Sequence, residues 1–325
     1  MSLCAWITHA DCRLHEMGPD HPECPERLDA ISDHLLSTGL MGLLTPYAAP
    51  IATVEQLGRA HSTLYVREML DLVPAAGYVR LDPDTSMNPW TVAAALRAAG
   101  AAVHATDLVV GNEVRRAFCA VRPPGHHATR AAAMGFCVFN NVAVGIRHAL
   151  DVHGIERVAL VDFDVHHGNG SEDILAGDDR VLMVSTFGRD LYPFSGEDAL
   201  APNMANVGLA RGAGGEALRD AYERVWRPRL DAFRPQMIFV SAGFDAHRAD
   251  EMGNLRWVED DYAWITRRIV EVAERHCEGR IVSCLEGGYH LFHLARSVAA
   301  HVRELTGAGG SLEPPDRLVP ERTTS

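Results

Sequence analysis

Residues 158–170 read VALVDFDVHHGNG. The run opens on four apolar side chains with no polar alternation and is too short to be a buried helix. A continuous apolar run of this length marks a strand covered on both faces, as in a parallel sheet. It then breaks into polar groups: Asp162, Asp164, His166, His167 and Asn169. In open α/β sheets, ligands sit just beyond the carboxyl ends of the strands, so the burst marks a site as well as a strand end.

Three other segments repeat the pattern. Residues 118–121 run into Arg122, Gly125, His126 and His127. Residues 237–240 run into Ser241, Asp245 and His247. Residues 281–284 run into Glu286, Tyr289 and His290. Further strands are expected at 4–8 and 181–185. Helical patterns fall between them at 27–36, 91–105, 142–152, 218–233, 262–277 and 291–305. Strands alternating with helices predict an α/β fold, a parallel sheet with helices on both faces and the four bursts gathered at one site. No Pro/Gly-rich linker divides the middle, so one domain is expected over 1–306. Residues 307–325, rich in Gly, Pro and Ser, read as a flexible C-terminal tail.

The composition narrows the function classes. The 325 residues are 47 % hydrophobic and 22 % charged, which excludes disorder as the main state. Thirty basic against 43 acidic residues give a net charge of −13, so no broad basic face for nucleic acid is expected. All thirty basic residues are arginine. No uninterrupted apolar run reaches 18 residues, and the N-terminus lacks a secretory pattern, so no membrane span or leader is expected. The seven cysteines are scattered with no C-x-x-C, which fits a reducing, cytoplasmic setting.

The bursts carry the chemistry. In an extended segment, Asp164 and His166 point the same way and can reach one cation. Asp245, from another strand end, can supply a third ligand. Two aspartates and a histidine with a fourth position open suit catalytic zinc; the plain alternative is strand-end hydrogen bonding. The adjacent His126 and His127, stiffened by two prolines, can serve as a general base and its electrostatic partner, or be a chance pair. Asp162 either orients an imidazole or caps the next turn. Tyr289, after two glycines, can donate to a developing oxyanion or be a core tyrosine. His9, His15, His21 and His61 read as structural, and residues 212–215 (GAGG) as a turn.

Together, 122–128 (RPPGHHA), 135–141 (GFCVFNN), 162–170 (DFDVHHGNG), 241–247 (SAGFDAH), 286–289 (EGGY) and 21–28 (HPECPERL) resemble the zinc-dependent histone deacetylase family. The similarity spans about residues 5–305. It is nearest the class II branch and its bacterial histone deacetylase-like amidohydrolases. The resemblance implies the arginase/deacetylase fold, a three-layer αβα sandwich around an eight-stranded parallel sheet. It implies a zinc-dependent amidohydrolase that removes acetyl groups from the ε-amine of lysine in peptides or proteins.

Carried over residue by residue, it implies zinc at Asp164, His166 and Asp245. His127 would be the general base and then acid, with His126 its electrostatic neighbour. Asp162 would orient His126, and Asn169 would orient His127, where some relatives carry aspartate. Tyr289 would polarise the carbonyl. Gly135, Phe136 and Tyr192 would wall the acyl-lysine tunnel, and Arg27 would line an inner acetate-release channel. A structural potassium ion is implied near Asp162, Asp164, His166, Ser185 and Thr186. The nearest rival is an acetylpolyamine amidohydrolase acting on acetylated small amines. Such relatives often carry an acidic gatekeeper where this chain has Met252, with Glu251 adjacent. A non-catalytic acyl-lysine or metal-binding protein is the rival of another class, and homo-oligomers are compatible with the family.

Overall fold

The computed structural model describes residues 3–309, and within them the chain winds through one eight-stranded sheet. The first half supplies β1 (Cys4–Thr8), α1 (Glu26–Ser37), β2 (Leu44–Ala48), α2 (Val54–Gly58) and α3 (Thr63–Asp71). A two-stranded ribbon of β3 (Val79–Arg80) and β4 (Ser86–Met87) follows, then α4 (Thr91–Val110), β5 (Arg116–Cys119) and α5 (Asn141–Asp151). Next come β6 (Val158–Asp162), α6 (Asn169–Leu175), β7 (Val181–Gly188), β8 (Met204–Leu209), α7 (Gly215–Ala221) and α8 (Arg227–Phe233). The chain ends through β9 (Met237–Ala242), α9 (Glu259–His276), β10 (Ile281–Leu285) and α10 (Leu291–Leu305). The tail expected at 307–325 lies outside the described residues from position 310 on.

The sheet order is β2-β1-β5-β10-β9-β6-β7-β8, and every pairing in it is parallel. The four strands that end in polar bursts, β5, β10, β9 and β6, are therefore neighbours in the middle of the sheet. Their registers align the ends: Asp162 pairs with Ser241, and Ser241 with Cys284. Helices α4 and α5 pack together across β1, β5, β10, β9 and β6. Helices α1, α9 and α10 pack together, and α10 meets β5 through Phe118, whose ring lies 5.8 Å from Trp6 and 5.6 Å from His301. The result is the three-layer αβα sandwich.

Helix α4 is long and apolar enough, by length and composition, to cross a membrane, but 72 % of its most apolar window is buried against the sheet and α5. The stretch expected as one helix over 218–233 is helical but widens at Tyr222–Trp226, where the Arg227 N–H reaches back to the Tyr222 carbonyl. Pro228 follows at the start of α8 and cannot donate to the regular ladder, and the wide turn gives its ring room. The edge strands β2 and β8 escape sequence pattern reading. Pro46 interrupts β2, which an edge tolerates because one side of the strand makes no ladder.

Candidate metal centre and active site

Beyond β6 the chain leaves the extended form at once. The Asp164 N–H donates to Asp162 Oδ1 (3.1 Å), and the His166 N–H donates to Asp164 Oδ1 (2.9 Å). These local side-chain turns bring Asp164 and His166 to one point. The strand alternation expected from their spacing is therefore corrected: turns, not extended geometry, make them converge.

His166 Nδ1 lies 3.1 Å from Asp164 Oδ1 and 3.2 Å from Asp245 Oδ2. The same three residues form a buried group whose ligand atoms all lie within 4.8 Å of one another. Asp164 Oδ2 accepts the Gly287 N–H (2.8 Å), and Asp245 Oδ1 accepts the Val165 N–H (2.9 Å). Apart from this His166 ion pair, Asp245 Oδ2 has no hydrogen-bond partner among the described residues. A Cβ on Gly287 would stand 2.0 Å from that atom, so only glycine lets the backbone pass so close. Burial opposes charge on His166, but its bonds to Asp164 and Asp245 win and push its pKa up to about 10. Burial and the neighbouring Asp164 push Asp245 up to about 6. Two buried carboxylates facing one imidazole nitrogen call for a positive charge between them. The donor set of two carboxylate oxygens and one imidazole nitrogen fits zinc.

The histidine pair sits beside this group. His126 Nδ1 lies 3.1 Å from Asp162 Oδ2, and the rings of His126 and His127 are 4.0 Å apart. Burial disfavours charge on His126, yet Asp164 and Asp162 raise its pKa to about 10. Asp162 thus makes both contacts that the sequence leaves open: Oδ2 lies against His126, and Oδ1 accepts the Asp164 N–H in the next turn. His127 Nδ1 lies 2.8 Å from Asn169 Oδ1. The amide oxygen can only accept, so Nδ1 carries the proton and Nε2 keeps a lone pair. Burial, His126 and His166 all hold the His127 pKa well below its ordinary value. The loop carrying the pair is anchored by Glu286, which accepts the Gly125 and His126 N–H groups (2.6 and 3.1 Å) and the Ser241 hydroxyl (3.1 Å).

A cavity of about 180 Å³ opens above these groups, lined by Asp84, His127, Gly135, Phe136, His166, Tyr192, Met252 and Tyr289. Gly135, Phe136, Tyr192 and Met252, expected at the substrate tunnel, all lie in that wall. Phe136 and Tyr289 meet edge to face at 5.8 Å, and Tyr192 stands 5.2 Å from the His127 ring. Gly135 is at φ +56°, and a Cβ there would strike the His127 ring at 2.5 Å. Burial and Asp245 hold the Tyr289 hydroxyl well above its usual pKa, so it remains a donor.

Arg27 lies behind the wall. Its guanidinium sits 5.0 Å from the Tyr289 ring centroid and donates to the Gly288 and Glu286 carbonyls and to Glu23. Ser185 and Thr186, inside β7, are buried with hydroxyls that have no hydrogen-bond partner among the described residues. Asp84 is the lining residue that sequence reading missed: it lies in the ribbon turn, far from any burst, and accepts the Gly135 N–H (3.2 Å). His21, read as structural, packs edge-on against Phe136 at 4.7 Å and so backs the tunnel wall.

Residues 21–305 match the Histone deacetylase domain family. The chain is 36 % identical over 304 residues to the histone deacetylase-like amidohydrolase of Pseudomonas aeruginosa, covering 91 % of this chain and 80 % of that one. It is also 36 % identical over 326 residues to the human polyamine deacetylase HDAC10, covering 93 % of this chain and 48 % of that longer one. It spans 14 % of the length of a type-2 histone deacetylase from Dictyostelium discoideum, with 42 % identity over 244 residues. Among solved structures, the HDA15 HD domain superposes with a TM-score of 0.87 at 31 % identity, over 96 % of this chain and 92 % of that one.

Proposed function

This chain belongs to the histone deacetylase family, and from that premise we propose that it is a zinc-dependent amidohydrolase that removes acetyl groups from the ε-amine of lysine in peptides or proteins. The observation that carries the reading is the bond from His127 to Asn169. It leaves the Nε2 lone pair of a buried, neutral imidazole facing the floor of a narrow cavity, next to the Asp164–His166–Asp245 group.

Zinc held by Asp164, His166 and Asp245 would acidify a water and polarise the amide carbonyl. His127 Nε2 takes the proton from the attacking water and passes it to the leaving amine. The His126 imidazolium, paired with Asp162, offsets negative charge as it builds. Tyr289 donates its hydroxyl to the amide oxygen as that oxygen becomes negative. Phe136 and Tyr192 hold the apolar lysine stem and exclude water. Asp84, at the wall, can accept an N–H from the substrate. A structural potassium ion beside β6 and β7 is part of the proposal, held around Asp162, Asp164, His166, Ser185 and Thr186. The Ser185 and Thr186 hydroxyls, without a hydrogen-bond partner among the described residues, support it.

Acetylated polyamines are the second reading, supported by the similarity to proteins named polyamine deacetylases. The apolar Met252 in the tunnel wall favours lysine over a substrate with a second cationic amine. Side-by-side turnover of an acetyl-lysine peptide and of acetylspermidine by the zinc-loaded protein decides between them, with chelator sensitivity as the metal control. No turnover of either amide overturns the enzyme assignment.

A further inference from the structure

We propose that Asp250 is a positioning residue whose single carboxylate holds Tyr289, the donor to the amide oxygen, and Met252, in the tunnel wall, in fixed relation to each other. The inference rests on the role of Tyr289 proposed above. Asp250 is 7 % exposed and lies in the loop after β9, five residues beyond Asp245. One of its oxygens, Oδ1, accepts the Met252 N–H at 3.0 Å. The other, Oδ2, accepts the Tyr289 N–H at 2.7 Å and the His290 N–H at 3.0 Å. Loops that leave two different strands thus meet on one side chain.

The local backbone explains why such a tether is needed. Tyr289 follows Gly287 and Gly288, and Gly288 stands at φ +115°. Two glycines give this segment more conformational freedom than any other pair of residues would. The Tyr289 ring is therefore not fixed by its own chain. From the other end, His290 caps α10, whose first N–H groups have no helical partner. A carboxylate at that end is favoured by the helix dipole, which makes Asp250 a firm anchor. Its own main chain is fixed in turn by the bond from the Asp250 N–H to the His247 carbonyl (2.8 Å). Met252 and Tyr289 line the tunnel together and also bound a second cavity of about 210 Å³, with Pro22, Glu251 and His290. They are the partition between the two spaces, and Asp250 holds both halves of it.

The test compares wild type, Asp250→Ala, Tyr289→Phe and the double variant, all zinc-loaded, on acetyl-lysine and trifluoroacetyl-lysine peptides. The fluorines make the carbonyl carbon electron-poor, so hydrolysis leans less on an oxyanion donor. Asp250→Ala is expected to lower acetyl kcat by roughly 10- to 100-fold, the scale on which misplacing a reacting group acts. The trifluoroacetyl substrate should lose much less, and the double variant should be no slower than Tyr289→Phe. Should Asp250→Ala fail to fold, Asp250→Asn, which keeps the volume and one acceptor, supplies the same ratio. Equal losses on both substrates, or losses that multiply in the double variant, overturn the inference while leaving the enzyme assignment intact. A wild type that hydrolyses neither peptide overturns the assignment on which the inference rests.

Discussion

Asn169 Oδ1 lies 2.8 Å from His127 Nδ1, and this contact sets the tautomer of the imidazole over the cavity floor, while burial, His126 and His166 keep the ring neutral. A neutral amide fixes which nitrogen carries the proton and favours the imidazolium only by that one hydrogen bond, which burial and the neighbouring histidines outweigh. Asn169→Asp keeps the geometry and adds a negative charge that stabilises the protonated ring. The base works only when unprotonated, so raising its pKa moves the acid limb of kcat/KM to higher pH. A pH–rate profile of the variant beside wild type checks this. An acid limb that stays put, or moves to lower pH, would show that His127 is not the base.

Glu23 is fully buried, with Arg122 and Arg27 on it at 2.5 and 2.9 Å and His15 at 3.3 Å. Burial opposes its charge, but Arg122, His15 and Arg27 hold its carboxyl well below the usual range. Glu23→Gln leaves two buried guanidinium groups short of a counter-charge, a loss of about 3–5 kcal/mol for a broken buried pair. The folded carboxyl is depressed, so its contribution is fully present above the unfolded value near 4.5 and fades as pH falls below it. Denaturant melts at pH 7 and at pH 4 should show the gap between wild type and variant narrowing at the lower pH. A gap that widens there would contradict the assignment.

Met252 lines the tunnel, while Glu251 faces the second cavity. Met252→Glu places a carboxylate where a polyamine's second ammonium group would pass. The ratio of kcat/KM for acetylspermidine over acetyl-lysine peptide should rise by about tenfold or more, the scale of 1.4 kcal/mol from one partly screened ion pair. The same ratio in Glu251→Gln should stay near wild type. If Glu251→Gln alone shifts it, the selecting position has been placed one residue off.

Much of this was legible in the sequence, because the site is built from strand ends. Segments such as 158–161 and 237–240 announce buried strands by uninterrupted apolar runs, and the polar residues after them gather because β5, β10, β9 and β6 are neighbours. Sequence order alone conceals that adjacency, since β9 and β10 enter the sheet last and fill its centre. What stayed hidden depends on contacts between distant segments. Asp84 reaches the tunnel from a small ribbon with almost no pattern of its own. Arg27 was assigned to a channel by resemblance, and its place behind Tyr289 follows from a packed charge cluster that no local motif encodes. The histidines behave likewise: His61 looks unremarkable in sequence, yet it accepts the Asn140 N–H and lies 2.9 Å from the Thr129 carbonyl, bracing both sides of the loop that carries His126 and His127.

The most direct test of the account is the turnover of an acetyl-lysine peptide by zinc-loaded Tyr289→Phe, with metal content measured on the same sample. Losing one oxyanion donor should lower kcat by about 10²–10³-fold. Zinc should remain near one per chain, because Tyr289 is not among the three ligands. Turnover near that of wild type, with zinc retained, would contradict the account.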